Sequence, residues 1–306
     1  MKKIIIINIK SLGLGNLFFQ LGAATTLAKI KKAELFYDLS NAIGYELHTK
    51  LEKKIIKKKF KNIIKLYNIK CQEAKKKDKR IISGFFEKKN FMLKILNRII
   101  IFLKLNPTSY YREIKDYYYD NNFLKLNTPV YLDGYFINPK YFHKFNYLPR
   151  INKINYLKNS KINYIINKIK KNQSVSLHIR RGDYLLNKDT YPIYGKEYID
   201  RAIKILKNKV SNLKFFIFTN DIIWTEKNFN VEEKNFFIVS KYTKEPWEDL
   251  ELMSLCKHNI ISNSTFSWWA AYKNNYRKKT IIAPKKWIND NNQHFNDLFM
   301  KDWISI

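Results

Sequence analysis

The chain has 306 residues, of which 45% are hydrophobic and 16% aromatic, enough for two domain cores and too apolar for a disordered protein. Lysine and arginine number 58 against 26 acidic residues, a formal net charge of +32 that favours polyanionic neighbours such as nucleic acid, anionic lipid headgroups or phosphorylated substrates. Two cysteines, Cys71 and Cys256, with no CxxC pair or Cys/His cluster, argue against a disulfide framework and against a structural zinc site.

The opening MKKIIIINIK reads as a buried strand rather than a signal peptide, because Asn8 and Lys10 break its apolar run and no small-residue cleavage site follows. A glycine-bearing turn, SLGLGN at 11–16, connects strand 4–9 to a helix over 17–31, and AELFYDL reads as the next strand. Strand, glycine loop, helix and strand begin a Rossmann-like unit. Residues 45–130 are lysine-rich, and runs such as KLEKKIIKKKFKN read as solvated faces. The segment NFMLKILNRIIIFLKL (90–105) reads as a core helix, with membrane-surface contact as its rival. No apolar stretch is long enough to span a bilayer, so the expectation is a protein that is soluble or lies on a membrane surface. A boundary falls near 145–160, dividing a domain of residues 1–150 from one of 151–306.

The second half alternates more clearly. Strands are predicted at 174–180, 213–221, 235–240, 259–263 and 279–287, with helices at 195–209, 245–258 and 266–275. Such alternation predicts a parallel sheet covered by helices on both faces, and ligands of such sheets bind at the carboxyl ends of the strands. Three strand ends carry polar clusters there. SVSLHIRRGDYL places His178, Arg180 and Asp183 at one; FTND places Thr219, Asn220 and Asp221 at another; ISNSTF places Asn263, Ser264 and Thr265 just before a helix. The last group either only caps its helix or, with the helix dipole, forms an anion site. Arginine suits a phosphate because its planar fork donates two hydrogen bonds. Asp221 reads equally as an N-cap or as a contact to a ribose or base edge. In the first half, Gly13 and Gly15 allow close backbone approach and Asn16 stands at the helix start, although GxGxxG is not completed. The chain has no GxxxxGK[ST], HExxH, GxSxG or DxD, which removes support from phosphate-loop ATPases, zinc peptidases, serine hydrolases and a Mg²⁺-bridged diphosphate.

With these motifs assembled, the chain resembles the bacterial α-1,2-fucosyltransferases of glycosyltransferase family 11. The resemblance rests on GLGNLFFQLGAA, GYFINPKYF, HIRRGDYL, FFIFTND, PWEDLELMSLCKHNIISNSTFSWWAAY and IIAPKKW in this order, and it fades around 50–105. Leu17 departs from the family, which usually has glutamine after GLGN. The resemblance implies an α/β, GT-B-like fold in which two Rossmann-like domains with parallel sheets face a cleft, residues 1–150 on the acceptor side and 151–306 binding a GDP-sugar. It also implies an inverting transfer from GDP-β-L-fucose, without a metal or other cofactor, to the 2-hydroxyl of a terminal galactose on a bacterial surface glycan.

Carried onto this sequence, the resemblance makes Arg180 the contact to the donor diphosphate, flanked by His178 and Asp183 as further catalytic candidates. It makes Asn263, Ser264 and Thr265 the phosphate cradle, Asp221 part of the guanosine-facing region, and Gly13, Gly15 and Asn16 the first-domain loop facing the donor. The expected partners are GDP-fucose and a galactose-terminated acceptor. A lipid-linked acceptor, and peripheral contact with the inner face of the cytoplasmic membrane, are compatible with the cationic faces. Two alternatives stand beside this. The same scaffold could use another GDP-6-deoxysugar or acceptor, and a nucleic-acid-binding module would gain only from the +32 charge, since no nucleic-acid-binding motif is visible.

Overall fold

Four consecutive isoleucines, Ile4 to Ile7, build the first strand, β1 (Ile4–Asn8), and three of them are fully buried. A run without alternation is what a parallel strand covered on both faces requires, and each buried isoleucine contributes about 1.5–3 kcal/mol. The computed structural model describes residues 3–43, 52–83, 109–151, 160–229, 235–290, 295 and 297–306. The chain divides into two units, Met1–Ile151 and Asn152–Ile306.

In the first unit β1 is followed by α1 (Leu14–Lys31), β2 (Glu34–Asp38), α2 (Lys53–Leu66), β3 (Gln72–Glu73), α3 (Lys76–Ser83), β4 (Tyr110–Arg112) and β5 (Val130–Asp133). The strands pair in parallel in the order β3-β2-β1-β5-β4. The chain winds outward from β1 through β2 to β3 and then resumes on the other side, so the winding reverses between β1 and β5. Helix α2 buries Ile56 and Phe60 and exposes Lys53, Lys54, Lys57, Lys58, Lys59, Lys61 and Lys65, the solvated face expected of that run. The apolar segment 90–105 lies outside the described residues.

Helix α1 begins three residues earlier than its apolar pattern suggests, which places Gly15 and Asn16 in its first turn rather than in a loop. The cause is Gln20. Its fully buried amide accepts from Lys10 N at 2.8 Å and donates to Ser11 O at 3.4 Å and Asn16 O at 3.2 Å, so the helix itself satisfies the turn that enters it. Gly13, at the N-cap with φ −57°, uses no left-handed freedom, and Leu17 is fully buried.

The second unit runs α4 (Ser160–Lys171), β6 (Gln173–Ile179), α5 (Lys196–Lys207), β7 (Leu213–Thr219), α6 (Ile222–Asn228), β8 (Phe236–Ile238), α7 (Pro246–Leu255), β9 (His258–Ile260), α8 (Thr265–Lys273), β10 (Ile281–Ala283) and β11 (Ile304–Ser305). Its parallel sheet has the order β11-β10-β9-β6-β7-β8, which is the Rossmann order read from the other side. The winding reverses between β6 and β9. Val175, Leu177 and Ile179 of β6 pack with Tyr198, Ile199, Ala202 and Leu206 of α5 in one core cluster. The opposite face of β6 is buried too: Ser176 and His178 are 1% and 6% exposed, and the strand ends one residue before Arg180.

Candidate active site

Register places the ends of β6 and β9 side by side, with Leu177 opposite Ile260. One residue beyond Leu177 and two beyond Ile260, the chains meet through side chains. Ser262 Oγ lies 2.7 Å from Nδ1 of His178, whose ring packs against Phe266 at 5.7 Å. Burial, with Arg180 as a secondary cause, pushes the His178 pKa down to about 3. Its contact with Ser262 ties the end of β6 to the turn after β9.

Arg180 donates from Nη2 to Asp183 Oδ2 at 2.7 Å, and its guanidinium lies 5.5 Å from the centre of the Tyr184 ring. Tyr184 stacks on Tyr191 at 4.3 Å and donates its hydroxyl to Asn263 O at 2.9 Å. Tyr184 thus joins the arginine to the 263–265 turn through one side chain. The other oxygen of Asp183 accepts from Asn220 Nδ2 at 3.3 Å, and Asn220 Oδ1 accepts from Arg181 N at 2.9 Å. Gly182 makes this possible, since a Cβ there would stand 2.6 Å from Asn220 Nδ2. Held by an arginine and an amide, Asp183 orients Arg180.

Arg181 donates from Nε to Asp221 Oδ2 at 3.3 Å and stacks over the Trp224 ring at 4.2 Å. The other oxygen of Asp221 accepts from Trp224 N at 3.0 Å, so Asp221 is the N-cap of α6 as well as the arginine's partner. Asn263 is 1% exposed and donates to Pro192 O at 3.1 Å and Trp287 O at 3.0 Å; its amide braces the turn from inside. Ser264 caps α8 by accepting from Phe266 N, and Thr265 opens the helix. The structure brings His178, Arg180, Asp183, Asp221, Asn263, Ser264 and Thr265 to one edge of one sheet. At that edge Asn263, Ser264 and Asp221 bond to backbone groups, and positive charge comes from Arg180, Arg181 and the amino end of α8. Tyr184 and Asn220, which link the parts, carry no motif signal beyond their places in RGDY and FTND.

Gly13, Gly15 and Asn16 belong to the first unit. The carboxyl edge of its sheet carries another polar network, centred on Asp133. Asn8 Nδ2 donates to Asp133 at 3.0 Å, Lys10 pairs with it at 3.1 Å, Arg112 Nε donates at 3.0 Å and the Tyr110 hydroxyl at 2.7 Å. The cations and the tyrosine hold the Asp133 pKa below its ordinary value against the upward push of burial. Among the described residues no group of three His, Cys, Asp or Glu side chains is arranged for a metal ion. A cavity of about 530 Å³ opens at the other edge of the second sheet, beside the amino ends of its strands, and includes Lys170, Lys257, Arg277 and Lys278 in its lining.

The model of the family described as Glycosyl transferase family 11 matches residues 85–306. The chain belongs to glycosyl transferase family 11. It is 31% identical over 305 residues to an alpha-1,2-colitosyltransferase of Escherichia coli, a match covering 96% of each chain. It is also 36% identical over 137 residues to the O-antigen biosynthesis glycosyltransferase WbnK of Escherichia coli, covering 44% of each. A crystal structure of fucosyltransferase NodZ from Bradyrhizobium aligns over 88% of this chain and 91% of that one, at 12% identity and TM-score 0.47. This family 11 chain is a glycosyltransferase, and its two units are both parallel-sheet α/β structures. Among the described residues no helix is long and apolar enough to cross a membrane.

Proposed function

We propose that this family 11 enzyme transfers L-fucose from GDP-β-L-fucose to the 2-hydroxyl of a terminal galactose on a bacterial surface glycan, with inversion at C1 and without a metal ion. The observation that carries the reading is the Arg180–Tyr184–Asn263 connection at the winding reversal between β6 and β9, where doubly wound sheets receive nucleotides. Arg180, oriented by Asp183, meets the charge that develops on the departing diphosphate, and the positive end of α8 adds to it. Arg181 and Trp224 form a cationic and aromatic surface beside Asp221 for the guanosine end. The second unit takes the donor and the first the acceptor. The α-1,2 linkage and the O-antigen context in the names of the two Escherichia coli relatives support this reading. The lysines of α2 suit an enzyme working in the cytoplasm beside anionic lipid, where a lipid-linked acceptor would lie.

The test is incubation of the purified chain with GDP-fucose and a panel of galactosides in EDTA, followed by determination of the linkage. The expected product is an α-1,2-fucosylated galactoside at a rate that EDTA leaves unchanged. A product of another linkage, or one lost in EDTA, contradicts the reading. The extended similarity to a colitosyltransferase favours a second reading, transfer of colitose by the same residues. Parallel assays with the two donors separate them by their kcat/KM ratio.

A further inference from the structure

The cavity at the amino edge of the second sheet is walled by the segment after α8, and a buried amide fixes that wall. Asn274, 2% exposed, donates from Nδ2 to Cys256 O at 2.9 Å and to Asn259 Oδ1 at 2.7 Å; its own Oδ1 accepts from Tyr276 N at 2.8 Å and its carbonyl from Lys279 Nζ at 2.8 Å. Tyr276 packs edge to face with His258 at 5.9 Å, and Lys257 Nζ stands 5.8 Å from the Tyr276 ring centre. On this frame Lys170, Lys257, Arg277 and Lys278 line about 530 Å³, and the lining contains no acidic residue. Among the described residues none of the four pairs with a carboxylate, and Glu251, on α7 one turn before Leu255, is taken by Lys273. The helix dipole accounts for Lys170, in the last turn of α4. Arg277 and Lys278 lie past Asn274, the C-cap of α8, and answer no helix end.

The two cationic edges of this unit differ in kind. At the carboxyl edge Arg180 and Arg181 are aimed by Asp183 and Asp221, as suits one ligand group in one place. At the amino edge Lys170, Arg277 and Lys278 are exposed, and a large apolar side chain, Leu255 at 41% exposure, stands among them with the half-buried Tyr276. Mobile cations beside exposed leucine and tyrosine match a surface whose anionic groups lie at the boundary of an apolar phase, because the cations meet phosphates while the leucine and the ring leave water. A free phosphate would use the charges and leave Leu255 in solvent.

We propose that this cavity is a docking site for anionic phospholipid headgroups, which holds the second unit against a membrane surface by its amino edge. The carboxyl edge, with Arg180 and Arg181, then faces the solvent from which a soluble donor arrives. The site is separate from the lysines of α2 and from the transfer reaction, so binding reads it without turnover.

The experiment measures flotation of the full chain with vesicles of phosphatidylcholine, with and without phosphatidylglycerol, together with hydrogen exchange. Each cation at an anionic surface strengthens binding about fivefold, so Arg277→Gln with Lys278→Gln is expected to weaken binding to the phosphatidylglycerol vesicles about 25-fold. Tm stays unchanged, because both side chains are exposed. Lys285→Gln with Lys286→Gln, an exposed pair past the carboxyl end of β10, removes the same charge and is expected to change binding less than about twofold. Leu255→Ser is expected to weaken vesicle binding about threefold or more. In wild type the phosphatidylglycerol vesicles slow exchange in 274–278, and inorganic phosphate alone does not. Equal binding to neutral vesicles, or equal losses in the two double variants, overturns the proposal. So do vesicles that bind and leave 274–278 unprotected, a measurement that needs no variant. Protection of 274–278 by inorganic phosphate or by single-stranded RNA, with none from vesicles, gives the cavity to another anion and overturns it as well.

Discussion

Arg180 keeps 22% of its side-chain surface exposed while Asp183 fixes Nη2, a geometry that presents charge outward without leaving the side chain to wander. Because its proposed role is to meet charge that grows as GDP departs, the loss should appear in turnover more than in stability. Arg180→Ala is expected to lower kcat about 100-fold or more with an unchanged thermal midpoint; near-normal turnover would remove it from the mechanism. Of the residues picked out by type and position, Arg180 and Asp183 pair with each other, His178 meets Ser262, and Asp221 caps α6 and pairs with Arg181. A polar residue on a strand face reads the same whether that face meets solvent or a covering helix, and only the fold reveals that Ser262 lies 2.7 Å from His178.

At the scale of elements, the turn between β6 and α5 is shaped by a single close approach. Gly182 lets Asn220 reach both Asp183 and the Arg181 backbone, tying the exit of β6 to that of β7. Gly182→Ala pushes a methyl to 2.6 Å from Asn220 Nδ2, so one partner must move. The expected outcome is a fall of about tenfold or more in kcat with a stability loss of about 1–3 kcal/mol, read by steady-state kinetics and chemical denaturation; unchanged kinetics would show that the Asn220 link positions nothing. The strands of the second half were legible because they are apolar runs bounded by polar ends, as in FFIFTND. Strands β3, β4 and β11 span two or three residues and carry no periodicity, so pairing with neighbours defines them. The early start of α1 was hidden for a related reason, since it depends on Gln20 reaching back to Lys10.

Each of the two units has one sheet whose winding reverses at its centre, and in each the reversal collects the polar residues that the fold leaves at a strand end. The whole chain carries +32, and a charge of that size attracts a nucleotide diphosphate to many places. Two cationic regions of the second unit compete for it: the edge with Arg180 and Arg181, and the cavity at the amino edge lined in part by Lys170, Lys257, Arg277 and Lys278. Geometry distinguishes them, because at the first the arginines are fixed by carboxylates beside a helix start. Hydrogen exchange of the purified chain with and without GDP measures the difference directly. The account expects GDP to slow exchange in segments 180–187 and 262–268 and to leave 274–278 unchanged. Slowed exchange confined to 274–278, with 180–187 and 262–268 unaffected, would contradict it.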